Sequence, residues 1–461
     1  MDKRNYRRYV LIVSTIAAFL TPFMGSSLNI ALPTISNELS IDAISLGWVQ
    51  TAYLIAIGAL LLPFGRIADI FGRKRIFDYG IMLFTASSLA CAFSNSASML
   101  IITRVAQGIG GAMIFGNSIA MLTSAYPPEE RGKVLGINVA AVYLGLSVGP
   151  FLGGVLTQHF GWRSILITTV IIGLITSVIS LWKVKRDWSS SEGEKFDIIG
   201  AIFYASALVL FMYGLTQFPN MTGLWFILGG LATAAIFIKW SSARSSPIIE
   251  LTLFRHNRVF ILSNIAALIN YSATFAVAFL LSLYLQYIKG MPPQTAGLVL
   301  IAQPIMQSVF SPLAGRLSDR YDPRLLASLG MGAIAIGLAL FSQLSNGTML
   351  AYIIPILAFM GFGYAMFSSP NIHAVIGSVK ESQQGIASAA VSTMRQIGMT
   401  LSMAITMLLF SIYIGRVQIT PEYYDAFLQS VKTAFIVFAC LCLIGVLASL
   451  ARGGVRDEPV H

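Results

Sequence analysis

Fourteen long, predominantly apolar stretches govern what this chain can fold into: 9–32, 45–64, 79–94, 98–124, 134–157, 162–182, 198–217, 222–240, 259–288, 294–314, 325–343, 348–370, 386–413 and 430–450. About 20 apolar residues cross a bilayer as a helix. Inside hydrocarbon every backbone N–H and C=O must be satisfied by the protein, and a helix does this within one segment. A soluble domain carries roughly 25% charged residues. This chain carries 11%, against 56% hydrophobic, too little polar surface to cover so much apolar mass. The pattern predicts an all-α integral membrane protein of about fourteen transmembrane helices, the third short and the ninth long enough to tilt.

The thirty Lys and Arg are unevenly placed. With the N-terminus inside, the cytoplasmic segments hold 24 of them, and the external segments hold Arg163, Lys289, Arg416 and Lys432. Cytoplasmic loops retain positive charge, so both termini of a multi-pass plasma-membrane protein are expected in the cytoplasm. The net charge of +11 then faces anionic inner-leaflet lipid, and no nucleic-acid partner is expected. Lys3, Arg4, Arg7 and Arg8 ahead of the first run resemble a signal peptide. That run is too long for one and lacks a clear cleavage site, so it reads as a retained first helix. Cys91, Cys440 and Cys442 fall in spans with no metal-ligand spacing, and inert packing is expected.

A short charged motif occurs twice. Gly65-Arg66-Ile67-Ala68-Asp69-Ile70-Phe71-Gly72-Arg73-Lys74-Arg75 is matched in register by Gly315-Arg316-Leu317-Ser318-Asp319-Arg320-Tyr321-Asp322-Pro323-Arg324. The first follows the second span and the second follows the tenth. Equivalence of the two places requires spans seven and eight to be an insertion, which gives a 6 + 2 + 6 plan. Residues 1–186 form an N-terminal six-helix bundle, 187–250 a linker with two inserted helices, and 251–461 a C-terminal six-helix bundle.

The loop Gly65–Arg75 resembles the signature loop between helices two and three of the major facilitator superfamily. Arg104-x-x-Gln107-Gly108-x-Gly110-Gly111 resembles its fourth-helix motif, and Gly145-x-x-x-Gly149-Pro150-x-x-Gly153-Gly154 the fifth-helix motif of its antiporters. Leu28-Asn29-Ile30-Ala31-Leu32-Pro33 is similar to the end of the first helix in the fourteen-helix drug:proton antiporter family. The resemblance implies alternating access. It also implies a cytoplasmic latch built on Gly65, Asp69 and Arg73, with Arg131 as a candidate partner and Gly315 and Asp319 as the repeated counterpart. Small residues at Gly145, Gly149 and Gly153, with Gly154, allow close helix approach, and Pro150 permits a bend. Together they suggest a hinge-like packing surface where two bundles meet.

Arg104 and Arg395 are the charges placed inside spans, and intramembrane charge marks function by default. Arg104 lies close enough to the external end of its span that snorkelling is the competing reading. The family's first helix usually carries an Asp where this chain has Met24. No predicted span contains Asp or Glu; Asp42 and Asp78 sit at span edges. That departure weakens proton coupling through the cavity and any preference for strong cations. Polar and aromatic residues near mid-membrane form a candidate substrate cavity: Ser26, Asn29, Gln50 and Tyr53 in the first half, and Asn270, Tyr271, Gln303, Gln307 and Tyr364 in the second. Their neutral character favours amphiphilic or uncharged solutes.

The expected function is secondary transport, with export of drug-like amphiphiles coupled to H+ as the family implies. A uniporter or symporter of a neutral solute stands as the alternative, and a non-transporting receptor or scaffold is less favoured. No enzyme, cofactor, metal or obligate protein partner is expected; the partners are a small molecule and the lipid bilayer.

Overall fold

The computed structural model describes residues 3–189, 193–218, 220–244, 248, 257–380 and 383–452. Among them there is no strand. The first helices are α1 (Lys3–Leu39), α2 (Ala43–Phe71), α3 (Arg73–Ala92), α4 (Ala97–Ala125), α5 (Pro128–Phe160) and α6 (Arg163–Lys183), followed by α7 (Ile198–Gln217) and α8 (Met221–Ser242). The rest are α9 (Arg258–Thr274), α10 (Ala276–Leu283), α11 (Pro293–Leu300), α12 (Ala302–Arg320), α13 (Pro323–Phe341), α14 (Leu350–Gly377), α15 (Gln384–Tyr413) and α16 (Tyr424–Ala451).

Two spans are interrupted, each for a local reason. Between α9 and α10 the Ala276 N–H leaves the helical ladder for the Ser402 hydroxyl at 3.0 Å. Between α11 and α12, Pro304 has no N–H to return to the Leu300 carbonyl. With α9–α10 and α11–α12 each taken as one segment, thirteen segments among the described residues are long and apolar enough to cross a membrane. The other, α3, opens on Arg73, Lys74 and Arg75 and carries Asp78 in its second turn.

The helices outrun the apolar stretches that signalled them. The first reaches Leu39 where hydropathy stops at 32, the third begins at Arg73, not 79, and the fifth runs Pro128–Phe160. Hydropathy marks the apolar part of a helix, whereas backbone hydrogen bonding continues through polar flanks until a cap or breaker stops it. Asp42 is one such cap, accepting the Ile44 and Ser45 N–H groups at 3.0 Å each.

The chain divides into two compact units, residues 1–211 with 228–248 and 292–297, and residues 212–227 with 249–291 and 298–461. In the first, α1 packs on α5 and α6, α2 and α3 pack on α4, and α3 packs on α6. In the second, α9 packs on α15 and α16, α12 and α13 pack on α14, and α13 packs on α16. The two sets correspond helix for helix, so the repeat in the sequence is also a repeat in packing. Glycines make the closest pairings. A Cβ on Gly145 would meet the Phe19 carbonyl, one on Gly153 the Ser27 backbone, and one on Gly398 the Leu268 carbonyl. Where lipid removes the hydrophobic drive between helices, this close van der Waals approach replaces it.

Candidate functional site

Arg104 is fully buried, so it does not snorkel. Its Nε donates to the Val49 carbonyl at 3.0 Å, its Nη2 to Gln50 Oε1 at 3.0 Å and its Nη1 to Gln107 Oε1. The guanidinium also lies over the Tyr53 ring, 4.1 Å from its centroid. Gln50 is steadied by its own bond to the Gly25 carbonyl (3.2 Å) and Gln107 by Ser88 (2.6 Å). The cluster therefore ties α1, α2, α3 and α4 together around one cation. The ionisable groups facing it are Tyr53 and Cys91; among the described residues no carboxylate bonds it. An unmet buried charge costs several kcal/mol. Here three charge-assisted bonds, each worth about 1.5–3 kcal/mol, and a desolvated cation–π contact of about 2 kcal/mol offset that cost without a counterion. Met24 is also fully buried, and its sulfur accepts the Thr169 hydroxyl at 3.4 Å.

The charged motif is less of a loop than its sequence suggests. Residues 65–71 complete α2, Gly72 alone breaks the helix at φ +114°, and α3 begins at Arg73. Asp69 pairs with Arg73 across this break, Nη2 to Oδ1 2.7 Å and Nε to Oδ1 2.8 Å. Arg73 also reaches Ser124 Oγ of α4 at 2.8 Å. Arg131 is exposed and donates to the Tyr126 carbonyl at 3.2 Å. Gly65 has open space around it. In the second copy Gly315 and Asp319 lie within α12, and Asp319 is exposed with no bond among the described residues. Ser318 beside it is buried and meets His373 Nδ1 at 3.1 Å.

Helices that extend past the apolar runs take up acidic residues, Glu38 and Asp78 among them. Glu38 belongs to α1 and accepts from Trp162 Nε1 (2.7 Å) and Arg163. Asp78 is buried in α3, paired with Lys74 and accepting from Ser180. Both lie near helix ends and both are ion-paired, so neither supplies a free mid-membrane carboxylate.

Gly145, Gly149 and Gly153 of α5 face α1 within the first unit. Ser26 Oγ donates to the Gly145 carbonyl at 3.2 Å, and Ser27 Oγ to that of Gly149 at 2.9 Å. Gly154, on another face, abuts Pro293 and Gln294, and Pro150 offers its carbonyl where Gly297 has no side chain. Of the candidate cavity residues in this unit, Asn29, Gln50 and Tyr53 are buried and Ser26 is half-buried; Gln50 and Tyr53 are engaged by Arg104.

In the second unit Tyr271, Gln303, Gln307 and Arg395 are half-buried. Tyr364 is buried and donates to the Thr274 carbonyl at 3.1 Å. Asn270 is fully buried, with neither side-chain polar atom bonded among the described residues. No spacing or motif singles out Arg452, which is 1% exposed and donates Nη1 to Ser263 Oγ and Asn371 Oδ1, each at 3.0 Å. Its Nε and Nη2 have no partner among the described residues. Burial pushes this guanidinium down to about 10, with Asp322 opposing the shift and Arg324 adding to it. Its place at the edge of the last apolar run made it read as one more flanking charge.

A doubled bundle, a charged break after the second helix of each and a caged arginine on the fourth are joined by a direct match: the family model described as Major Facilitator Superfamily covers residues 14–197 and 264–460. The chain belongs to this superfamily. It is 30% identical over 444 residues to the riboflavin transporter RibZ of Clostridioides difficile, covering 96% of each chain. It is 28% identical over 407 residues to the multidrug resistance protein Stp of Mycobacterium tuberculosis, covering 86% of this chain and 74% of that one. A bacterial homolog of the human lysosomal transporter Spinster, solved inward-facing and unoccupied, superposes with a TM-score of 0.71 at 16% identity, covering 97% of each chain. As a superfamily member the protein is a multi-pass membrane transporter of small molecules, not an enzyme. The fold class read from the apolar runs stands.

Proposed function

We propose that this transporter exports neutral or weakly charged amphiphilic small molecules across the plasma membrane by alternating access, driven by H+, with both termini in the cytoplasm. One observation carries the substrate class: Arg104 is buried among neutral acceptors, and Met24, at the place where the resemblance to the fourteen-helix drug:proton antiporter family implies an acid, presents a buried thioether. A fixed positive charge with no counterion repels a cation about 10 Å away by about 1.7 kcal/mol at an effective dielectric constant near 20, a discrimination of more than tenfold. Within the first unit Asn29 and Tyr53, and within the second Asn270, Tyr271, Gln303, Gln307 and Tyr364, are neutral polar and aromatic candidates for substrate contact. The unbonded Asn270 amide is the best placed to gain a substrate hydrogen bond, because a buried amide left unmet costs about 1–3 kcal/mol. Export follows the α5 glycine motif and the multidrug resistance name borne by Stp; a neutral solute follows the riboflavin named for RibZ. The Asp69–Arg73 pair, with Gly65, serves as the conformational latch, and Gly315 and Asp319 as its weaker repeat. A uniporter or symporter is the second reading, favoured by the absence, among the described residues, of a free carboxylate at mid-membrane.

The test is uptake into inside-out vesicles of riboflavin, which is neutral, and ethidium, a permanent cation, with and without an imposed proton gradient. Gradient-driven uptake of riboflavin but not ethidium is expected, and Arg104→Gln should narrow the preference at least fivefold. Equal movement of both dyes removes the electrostatic argument. Uptake indifferent to the gradient replaces the antiporter with the uniporter.

A further inference from the structure

The first N–H groups of α3 receive no side-chain cap from their own segment, because the residue before them is Gly72. Partners more than a hundred positions along the chain take them instead. The Lys74 N–H donates to Asp187 Oδ1 at 2.9 Å, and the Arg73 N–H to the Trp188 carbonyl at 2.8 Å. A Cβ at position 72 would overlap the Asp187 carboxylate, so the glycine both adopts the positive φ and makes room for the visiting acid. Three more contacts hold the same segment. Arg66 pairs with Glu194, the Tyr6 hydroxyl donates to the Arg186 carbonyl at 3.2 Å, and the Tyr6 and Trp188 rings lie 6.0 Å apart.

The second copy shows what has been replaced. In register with Gly72 stands Asp322, which caps its own helix by accepting the Arg324 N–H at 2.8 Å. Arg324 is in register with Lys74. The same N–H is thus capped by a neighbour in one copy and by the segment leaving α6 in the other.

We propose that this segment, residues 186–189 with Glu194, is a strap that sets the first charged motif, and that Asp187 is a positioning residue for the Asp69–Arg73 pair. The proposal rests on the latch reading given above. An acid at a helix N-terminus satisfies an otherwise unmet N–H and complements the positive end of the helix. Arg73 takes part twice, binding the strap through its N–H and Asp69 through its guanidinium, so the strap fixes the backbone from which that guanidinium is aimed. The strap also leads into α7, whose buried Tyr204 donates its hydroxyl to the Gly58 carbonyl of α2 at 2.9 Å. The first inserted helix and its lead-in therefore hold α2 at Gly58 and Arg66 and, just past its end, at Arg73–Lys74. This gives the insertion a task in transport beyond spacing two bundles.

The experiment compares Asp187→Ala, Asp187→Asn and Asp322→Ala with wild type, using riboflavin uptake in inside-out vesicles and amide hydrogen exchange on purified protein in micelles. Asp187→Ala should lower turnover about fivefold at unchanged KM and should speed exchange of the 73–76 amides at least tenfold. Asparagine caps helices as well as aspartate, so Asp187→Asn should keep at least half the wild-type turnover. Asp322→Ala should stay within twofold of wild type, and adding Asp187→Ala to Asp69→Asn should cost nothing further. Unchanged exchange at 73–76, or full additivity with Asp69→Asn, overturns the proposal. Wild-type transport by Asp69→Asn alone would sink the latch reading, while the exchange arm would still judge the strap. The exchange arm also decides if riboflavin is not moved.

Discussion

The two copies of the charged motif share Gly, Arg and Asp in register, yet they are wired differently. In the first, Asp69 holds Arg73, Arg73 holds Ser124 of α4, and the break between helices is a glycine closed by Asp187. In the second, Pro323 occupies the place of Arg73 and leaves Asp319 exposed, while Asp322 caps α13 from within. This copy meets the fourth helix of its bundle through the hydrogen bond between Ser318 and His373. One copy carries a charge relay that depends on a distant segment, and the other is a self-contained turn. Duplication preserved the backbone; the chemistry has collected on one side.

Substitutions can break this contrast. The largest effect is expected at Gly72. Gly72→Ala places a Cβ at positive φ and against the Asp187 carboxylate, and both the strap and the Asp69–Arg73 geometry should fail. Riboflavin uptake should fall more than tenfold, with a lower melting temperature in detergent; transport near wild type would show that the break does not need glycine. Next comes Asp69→Asn, which keeps shape and removes charge. Losing a charge-assisted bond of about 1.5–3 kcal/mol should reduce turnover by about tenfold without changing KM, and a change confined to KM would move Asp69 from latch to binding. Asp319→Asn is the mildest. Its side chain has nothing to lose among the described residues, so uptake should stay within twofold of wild type. A loss as large as that of Asp69→Asn would mean that the two copies work as equals.

Much of the architecture was legible in the residues. Runs near bilayer length gave the helix count, and the displaced second motif revealed the inserted pair. What hydropathy missed was polar helix: the last turns of α1 with Glu38, the first turns of α3 with Asp78, and the flanks of α5. Arg104 stood out because charge inside an apolar run is conspicuous, but its bonds did not. Gln50 and Tyr53 stood out as polar and aromatic residues near mid-membrane, and spacing alone did not show that both engage Arg104. Arg452 and Asp187 were hidden for opposite reasons. The first hides among ordinary flanking charges, and the second acts on a residue 113 positions away, beyond any local spacing rule.

The cage around Arg104 also has an electrical meaning. A guanidinium held by dipoles and a ring has no bonded carboxylate among the described residues to cancel its charge, so any rearrangement that carried it along the bilayer normal would move charge through the transmembrane field. One elementary charge crossing the whole field gains or loses about 2.3 kcal/mol per 100 mV. Displacement through a tenth of it corresponds to roughly 0.2 kcal/mol per 100 mV. On the alternating-access reading proposed above, a displacement of that size would tilt the balance between the two openings by less than about twofold per 100 mV, even with an uncharged passenger.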